Sequence, residues 1–362
     1  MNAKTRLQVS KSALEHNFQF LKNTTGNGVK LMAVVKANGY GTDLINLSKW
    51  LVALGADALC VAYTPEGISL RRAGITLPIL VLHPQIEDLG DAIAEDLSLS
   101  IYSIPFLEAI IQFQPAKKID AHLNLNTGLN RLGIKPKEIK NFISLIKEHP
   151  VIDLSHVMTH LIGSEDEKLK SINKNQLKVF EQSVKVIEQT LGKRLKKHAL
   201  NSSGVLNYPE AHFDMVRCGI ALHGYANDPV LDKQLKPIST LFSHISDLRV
   251  IEKGESVSYN RQFIAKTPMT IATIPLGHAD GFTRDLGNSR GKVLINGQLV
   301  PVVGMICMDL FMVDVSRLKV SVGEEVVVMG KGLTAEMLAQ QSGTIAYELL
   351  TGIGSRIPRV FI

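Results

Sequence analysis

A lysine at the end of an apolar run is the first residue of this sequence whose type and place could do chemistry. Leu31-Met-Ala-Val-Val35 reads as a strand buried on both faces, and it delivers Lys36 to the strand's carboxyl end, where the turn Ala37-Asn-Gly-Tyr40-Gly41 begins. An ammonium group there is salt-bridged, neutral, consumed as a Schiff base with a carbonyl cofactor, or snorkels to solvent. Tyr40 and the glycines, which let backbone approach a ligand closely, favour a ligand over the solvent reading. A second cluster is Asn201-Ser202-Ser203-Gly204 with Arg217-Cys-Gly219-Ile220: hydroxyls and backbone N–H groups with no carboxylate nearby in sequence, the composition of an anion site. Taken singly, Ser-Ser-Gly is a helix cap and Arg217 a structural ion-pair partner; a strand-end lysine beside them makes the combination a candidate phosphate-carrying cofactor site.

The elements that must position these groups follow from hydrophobic patterning. Short apolar runs lie at 31–35, 58–62, 77–82, 97–102, 119–125, 154–158, 198–200 and 215–222, and stretches of helical periodicity or length lie between them at 44–54, 65–73, 86–95, 104–113, 136–148 and 167–191. This alternation predicts a (β/α)8 barrel, in which reactive groups sit at the carboxyl ends of strands and a phosphate site follows the last two. Residues 4–9 read as a short strand, and Ser12-Ala-Leu-Glu15 has the form of a capping box ahead of a first helix. After Pro237 β-branched runs crowd together at 240–250, 270–275, 292–303, 307–315 and 325–329, with Asn296-Gly297 placed as a tight hairpin turn. We therefore expect a barrel over 1–238 and a mainly β domain over 239–362.

The totals exclude several classes. At 362 residues two domains are the prior, and 45% apolar with 20% charged residues describes a globular protein. The net charge of +6 is interspersed, and the one basic cluster, Lys193-Arg-Leu-Lys-Lys197, reads as a solvated helix end, so no nucleic-acid partner is implied. Cys60, Cys218 and Cys307 match neither metal nor disulfide spacing, which suits a reducing compartment and gives no metal site. The start lacks the apolar core of a signal peptide and no run is long enough to span a membrane, so the expected location is the cytoplasm, away from membranes.

Across nearly its whole length the chain resembles the alanine racemases, fold-type III pyridoxal-phosphate enzymes. The resemblance is carried by Lys36-Ala-Asn-Gly-Tyr40-Gly, Asn126-Thr-Gly-Leu-Asn-Arg131-Leu-Gly133, Met158-Thr-His160, Asn201-Ser202, Met215-Val-Arg217-Cys-Gly219-Ile220, Val257-Ser-Tyr259, Ile306-Cys-Met308-Asp309 and Arg356-Ile-Pro-Arg359, in that order. It implies interconversion of L- and D-alanine, supplying D-alanine for peptidoglycan. Lys36 would carry the pyridoxal phosphate and serve as base for the D-isomer; Tyr259 would be the base on the opposite face. Tyr40, Ser202 and the backbone of Gly219 and Ile220 would hold the phosphate, Arg217 would face the pyridine nitrogen and His160 would pack by the ring. Asn201 and Ser355 complete the implied cofactor-binding set. A guanidinium stays protonated and can only donate, so the ring nitrogen would remain unprotonated, a weaker electron sink that favours racemisation over transamination. His198 would support Arg217, and Arg131 with the Met308 backbone would hold the substrate carboxylate, Cys307 and Asp309 lying beside it. In the family the tyrosine comes from the partner subunit, which implies a homodimer.

Departures from the family pattern carry expectations of their own. Many relatives have a carbamylated lysine and an aspartate where this chain has Asn124 and Asn126, which removes two anionic neighbours of Arg131; a chloride ion near Arg131 and Asn124 is the expected replacement. His278 stands at a tyrosine position, Thr42 at a histidine position, and Ser355 where many members have a gate tyrosine. Loss of that ring points to weaker exclusion of serine, so a racemase of broader specificity is the alternative within the class. The related decarboxylases place a glutamate at the pyridine nitrogen, against Arg217. A non-catalytic pyridoxal-phosphate-binding protein lacks the β domain and Tyr259, and a cofactor-free barrel hydrolase would show no absorbance band lost on borohydride reduction.

Overall fold

The structure, a computed structural model, describes residues 3–228 and 230–362. Met1 and Asn2, part of the start read above for a leader, lie outside the described residues, as does Pro229. The chain divides into two compact units, one of Glu15–Gly39 and Leu44–Leu235, the other of the segment up to Leu14, Tyr40–Asp43 and Lys236–Ile362.

The first unit is the barrel. Its eight parallel strands are Lys30–Val34, Ala58–Val61, Ile79–Val81, Ser98–Ile101, Ile119–Asn124, Ile152–Met158, Lys196–His198 and Met215–Cys218. The first seven pair in sequence order, each beside the next, and the first also pairs with the eighth, Met32 lying opposite both Ala58 and Arg217, while the seventh and eighth form no ladder among the described residues. Asp214 N–H to the Lys197 carbonyl (3.2 Å) and Arg217 N–H to the Leu200 carbonyl (3.0 Å) link the seventh strand to the eighth. The second, third and fourth strands are buried at every residue, as strands covered on both faces must be. Helices follow the strands where the periodicity places them. Ile104–Phe113 shows why: Ser103 accepts the Phe106 N–H (3.2 Å), a proline occupies the first turn, and Phe106, Leu107 and Ile110 form the buried stripe. Losing Phe106 to alanine would cost about 3–5 kcal/mol. The seventh strand, Lys-Lys-His in sequence, is the least apolar of the eight.

The second unit is built on a nine-stranded sheet, ordered Asp247–Ile251, Met269–Ile274, Phe311–Asp314, Gln298–Val303, Lys292–Ile295, Glu325–Met329, Ser239–His244, Arg6–Val9 and Arg359–Phe361. All neighbours are antiparallel except the last two. The hairpin turn at Asn296-Gly297 forms with φ of 48° and 76°, the positive pair that a two-residue connection requires. Three local readings change. The first helix spans Lys11–Thr25 and is capped by Ser10, whose hydroxyl takes the Ala13 N–H (3.3 Å), so Ser12 lies inside it. The run 240–250 is two strands, and of 307–315 only Phe311–Asp314 is strand, the preceding residues forming a loop. The amino-terminal strand joins this β unit, so beside the change of texture near residue 238 the chain crosses between units near residue 14 and around residues 40–43.

Candidate active site

In the barrel, Val35 continues the first strand by donating its N–H to the Cys60 carbonyl (2.9 Å), and Lys36 is the next residue. Ala37, Asn38 and Gly39 are all left-handed, with φ of 54°, 53° and 62°. Such a conformation costs an L-residue about 1–2 kcal/mol, so something must hold it. Glu66 does: its carboxylate accepts the N–H groups of Ala37 (2.7 Å), Ala62 (2.8 Å) and Tyr63 (3.2 Å). Asn38 adds a bond from its side-chain oxygen to the Leu44 N–H (3.0 Å). The lysine is thus held, half-buried, at a fixed point on the barrel's carboxyl rim. Glu66 escaped the sequence reading because it works across a loop; its only signal is its place as the third residue of its helix.

Arg217, on the eighth strand, is 5% exposed. Its guanidinium donates to His198 Nδ1 (2.8 Å) and to the carbonyls of His198 (2.9 Å), Thr159 (2.7 Å) and Ala199 (3.1 Å), lies 3.4 Å from His160 Nδ1, and meets no carboxylate among the described residues. Burial lowers its pKa to about 10, which leaves it charged at neutral pH. Nearby His160 is pushed down to about 3, first by burial and then by the charges of Arg217, Arg131 and Lys36. The sequence-predicted cations of this unit therefore act on one imidazole, which stays neutral. Burial raises the Cys60 and Cys218 thiols to about 12, against the pull of Arg217, so neither is a nucleophile.

The seventh strand leads into Asn201, whose side chain accepts the Gly204 N–H (2.9 Å) and so caps the helix Ser202–Asn207. Asn201 rather than the serines is the cap. The Ser202 hydroxyl oxygen accepts the N–H groups of Gly219 (3.0 Å) and Ala221 (3.2 Å), while its own O–H has no acceptor among the described residues. A half-satisfied hydroxyl beside the Gly219–Ile220 turn, with no acidic side chain bonded to it, fits an anionic group such as a phosphate. Asn126 accepts the Gly128 and Asn130 N–H groups (3.1 Å each) and shapes the loop that carries Arg131. Arg131 is exposed and forms no ion pair with a described residue.

The β unit holds the remaining candidates. Tyr259 opens a turn in which Ser258, Asn260 and Arg261 have φ of 67°, 60° and 48°. Ser258 ties the turn to the next loop by donating to the Met305 carbonyl (2.7 Å), with Cys307 Sγ 3.6 Å away. Val257, Ile271 and Val303 pack beneath it. The phenol is therefore held outward on a rigid support, 63% exposed, in the same unit as Met308, 59% exposed. Met308 and Cys307 accept the N–H groups of Ala279 and His278 through their carbonyls (3.0 Å each), and a Cβ on Gly277 would lie 2.2 Å from the Met308 oxygen. Arg356 binds buried Asp280 (2.5 and 3.0 Å) and Asp309 (2.7 Å). Arg359 donates to the carbonyls of Gly41, Ile353, Gly354 and Ile357. Tyr40 is buried with its ring 6.1 Å from that of Tyr347. Ser355 is exposed in the turn before Arg356. No helix among the described residues is long and apolar enough to cross a membrane.

Comparison with known proteins identifies the family of both halves of the chain. The family profile described as alanine racemase, N-terminal domain, matches residues 9–227, and that described as alanine racemase, C-terminal domain, matches 238–361. Curated relatives include alanine racemase 2 of Caldanaerobacter subterraneus (35% identical, covering 99% of this chain and 95% of the relative) and the alanine racemase of Treponema denticola (36%, 96% of each). Among solved structures, alanine racemase from Bacillus anthracis with bound L-Ala-P superposes with a TM-score of 0.93 at 32% identity, covering 100% of this chain and 96% of that one. Both halves of the chain, the lysine-bearing barrel and the tyrosine-bearing β unit, belong to the alanine racemase family.

Proposed function

We infer that the protein is a pyridoxal-phosphate-dependent amino-acid racemase that interconverts L- and D-alanine, and that it provides D-alanine for peptidoglycan in the cytoplasm. The observation that carries this is Arg217: a buried cation with imidazole and carbonyl partners and no carboxylate, on the strand beside the one that ends at Lys36. A glutamate there would suit a decarboxylase. The residues present fit the cofactor, since Ser202 retains a free O–H beside the Gly219–Ile220 turn and no acidic side chain bonds it. Lys36 would hold the cofactor, Ser202, Gly219, Ile220 and Tyr40 its phosphate, and Arg217 its ring nitrogen, with His160 beside the ring and Asn201 and Ser355 bordering it. Bound pyridoxal phosphate supplies an electron-withdrawing ring that acidifies the substrate's α-proton.

The chain's own groups do the rest. The Lys36 amine carries the proton on the face of the D-isomer, and the Tyr259 phenolate carries it on the other. An ordinary phenol, with pKa about 10, is a weak base at neutral pH, so a base on this face needs surroundings that favour the phenolate. Arg131 and the Met308 N–H grip the carboxylate, fixing the α-carbon between the two bases. Tyr259 and Met308 stand exposed on their unit, as expected of groups offered to a neighbouring protomer, and we propose a homodimer whose active sites each take these residues from the partner. A chloride ion beside Arg131 and Asn124 replaces the missing anionic neighbours; crystals grown in bromide would show an anomalous peak there, and an empty site would reject it.

Incubation of the purified holoenzyme with L-alanine in D2O tests the activity. D-Alanine should accumulate with deuterium at the α-carbon; unchanged chirality with the α-proton retained would refute it. The alternative of a broader range rests on the sequence alone, Ser355 standing where many members have a gate tyrosine. Its measure is kcat/KM for D-serine against D-alanine, with Ser355→Tyr lowering the D-serine value by roughly 10-fold if the gate reading holds.

A further inference from the structure

Behind Arg217 and the His198 paired with it, the barrel interior holds two further polar groups, His122 and Asp120, that the racemase motifs do not include. His198 Nδ1 accepts from Arg217 (2.8 Å), His198 Nε2 lies 3.0 Å from His122 Nδ1, and His122 Nε2 faces Asp120 Oδ2 at 3.6 Å. Asp120 is the second residue of the fifth strand, at the amino end of the barrel, with its side chain 44% exposed; Arg217 lies across the interior, and His122 and His198 between them are buried.

The polarity of both hydrogen bonds, and of the 3.6 Å contact that ends the line, is determined by the guanidinium. A guanidinium has no lone pair to offer, so His198 Nδ1 must be the acceptor and, the ring being neutral, its proton sits on Nε2. That N–H donates to His122 Nδ1, which puts the His122 proton on Nε2, pointing at a carboxylate that can only accept. Two serines anchor the Asp120 carboxylate in place, Ser98 donating to Oδ2 (2.5 Å) and Ser155 to Oδ1. Ser155, its one proton spent, accepts from His156 Nδ1 (2.7 Å), and the His156 ring stacks on His122 with centroids 4.1 Å apart. The same polarity argues against a metal site at Asp120, His122 and His156, whose ligand atoms lie within 4.8 Å of one another: the His122 nitrogen facing Asp120 carries a proton, not a lone pair.

We infer that Asp120, His122 and His198 form a one-way polar line, two hydrogen bonds closed by the 3.6 Å Asp120–His122 contact, that fixes the plane and polarity of the Arg217 guanidinium from the far end of the barrel, making Asp120 and His122 positioning residues for the reaction. The catalytic consequence rests on the racemase reading of Arg217; the polarity of the line does not. The carboxylate polarises the two hydrogen bonds in turn, so the guanidinium feels an anion two hydrogen bonds and one 3.6 Å contact away, without a carboxylate touching it that would draw its charge from the ring nitrogen.

The test is long-range 1H–15N correlation on histidine-labelled, cofactor-free protein, followed by kinetics of the loaded enzyme. In the wild type both His198 and His122 should be Nε2–H tautomers. Asp120→Asn should move the ring-nitrogen shifts of His122 and also of His198, which Asp120 does not touch. It should also lower kcat for alanine roughly 10-fold at unchanged KM, with Asp120→Glu restoring most of the loss. A His122 proton on Nδ1, or an Asp120→Asn effect confined to His122 with kcat intact, overturns the line. The wild-type tautomers decide the polarity even if the variant fails to fold. Because they are read without cofactor, a wrong polarity leaves racemisation standing, and failed racemisation leaves the tautomers standing.

Discussion

Lys36 and Arg217 are legible in the sequence because their types are costly where they stand: a cation closing a buried strand and another inside one. Tyr259 carries no such cost, being exposed, and only its motif marks it. Glu66 and His122 are invisible for a different reason: each acts on a residue far away in sequence, Ala37 and His198, and spacing does not encode that; Asp120 works through His122. If the phenol is the second base, Tyr259→Phe should reduce kcat by roughly 10²–10⁴-fold while KM for alanine changes little, measured in both directions. The buried histidines give a stability prediction. Burial first, then neighbouring cations, holds His198 well below its ordinary value, while His156 and His223 are pushed to about 3. An unfolded chain would protonate all three near pH 6.5, so the folded state binds fewer protons below that pH. The stability they contribute is therefore complete above about pH 6.5 and lost as the pH falls toward 3, each histidine contributing about 1.4 kcal/mol per pH unit. Calorimetry near pH 5 in two buffers of different ionisation enthalpy should show proton uptake on unfolding, and His223→Leu should reduce it by one proton.

At the scale of elements, all eight barrel strands lie where their apolar runs place them, since strands covered on both faces must be apolar almost throughout. Even Lys196–His198 is located, though by the helix before it and the Asn201 cap after it more than by its own residues. In the β unit the helices Ala335–Ser342 and Ala346–Thr351 go unread. Thr334 and Gly343 cap the first of them in plain sight, but eight residues of which three are buried give too little periodicity to stand out among strands. The strained turn after Lys36 is the element that matters most for chemistry, and its brace is one carboxylate. Glu66→Ala leaves three N–H groups without their charged acceptor, each bond contributing about 1.5–3 kcal/mol. We expect a lower Tm and faster amide exchange at Ala37 and Ala62, with Glu66→Gln intermediate; unchanged exchange at both amides would show that the turn holds itself.

For the whole molecule, sequence order misleads at one point. The amino-terminal strand Arg6–Val9 lies between Ser239–His244 and Arg359–Phe361, so the β unit is assembled from both ends of the chain. Nothing in a four-residue strand announces a partner more than two hundred residues away. The assembly of protomers is likewise a property that neither composition nor periodicity encodes, and the central claim depends on it: an amine from one protomer and a phenol from its partner share one active site. Mixing the two inactive variants Lys36→Ala and Tyr259→Phe under conditions of subunit exchange tests that claim directly. Half of the dimers formed are hybrids with one intact site and one doubly defective site, so about a quarter of wild-type activity should return. A mixture that has demonstrably exchanged subunits and stays inactive would contradict the account.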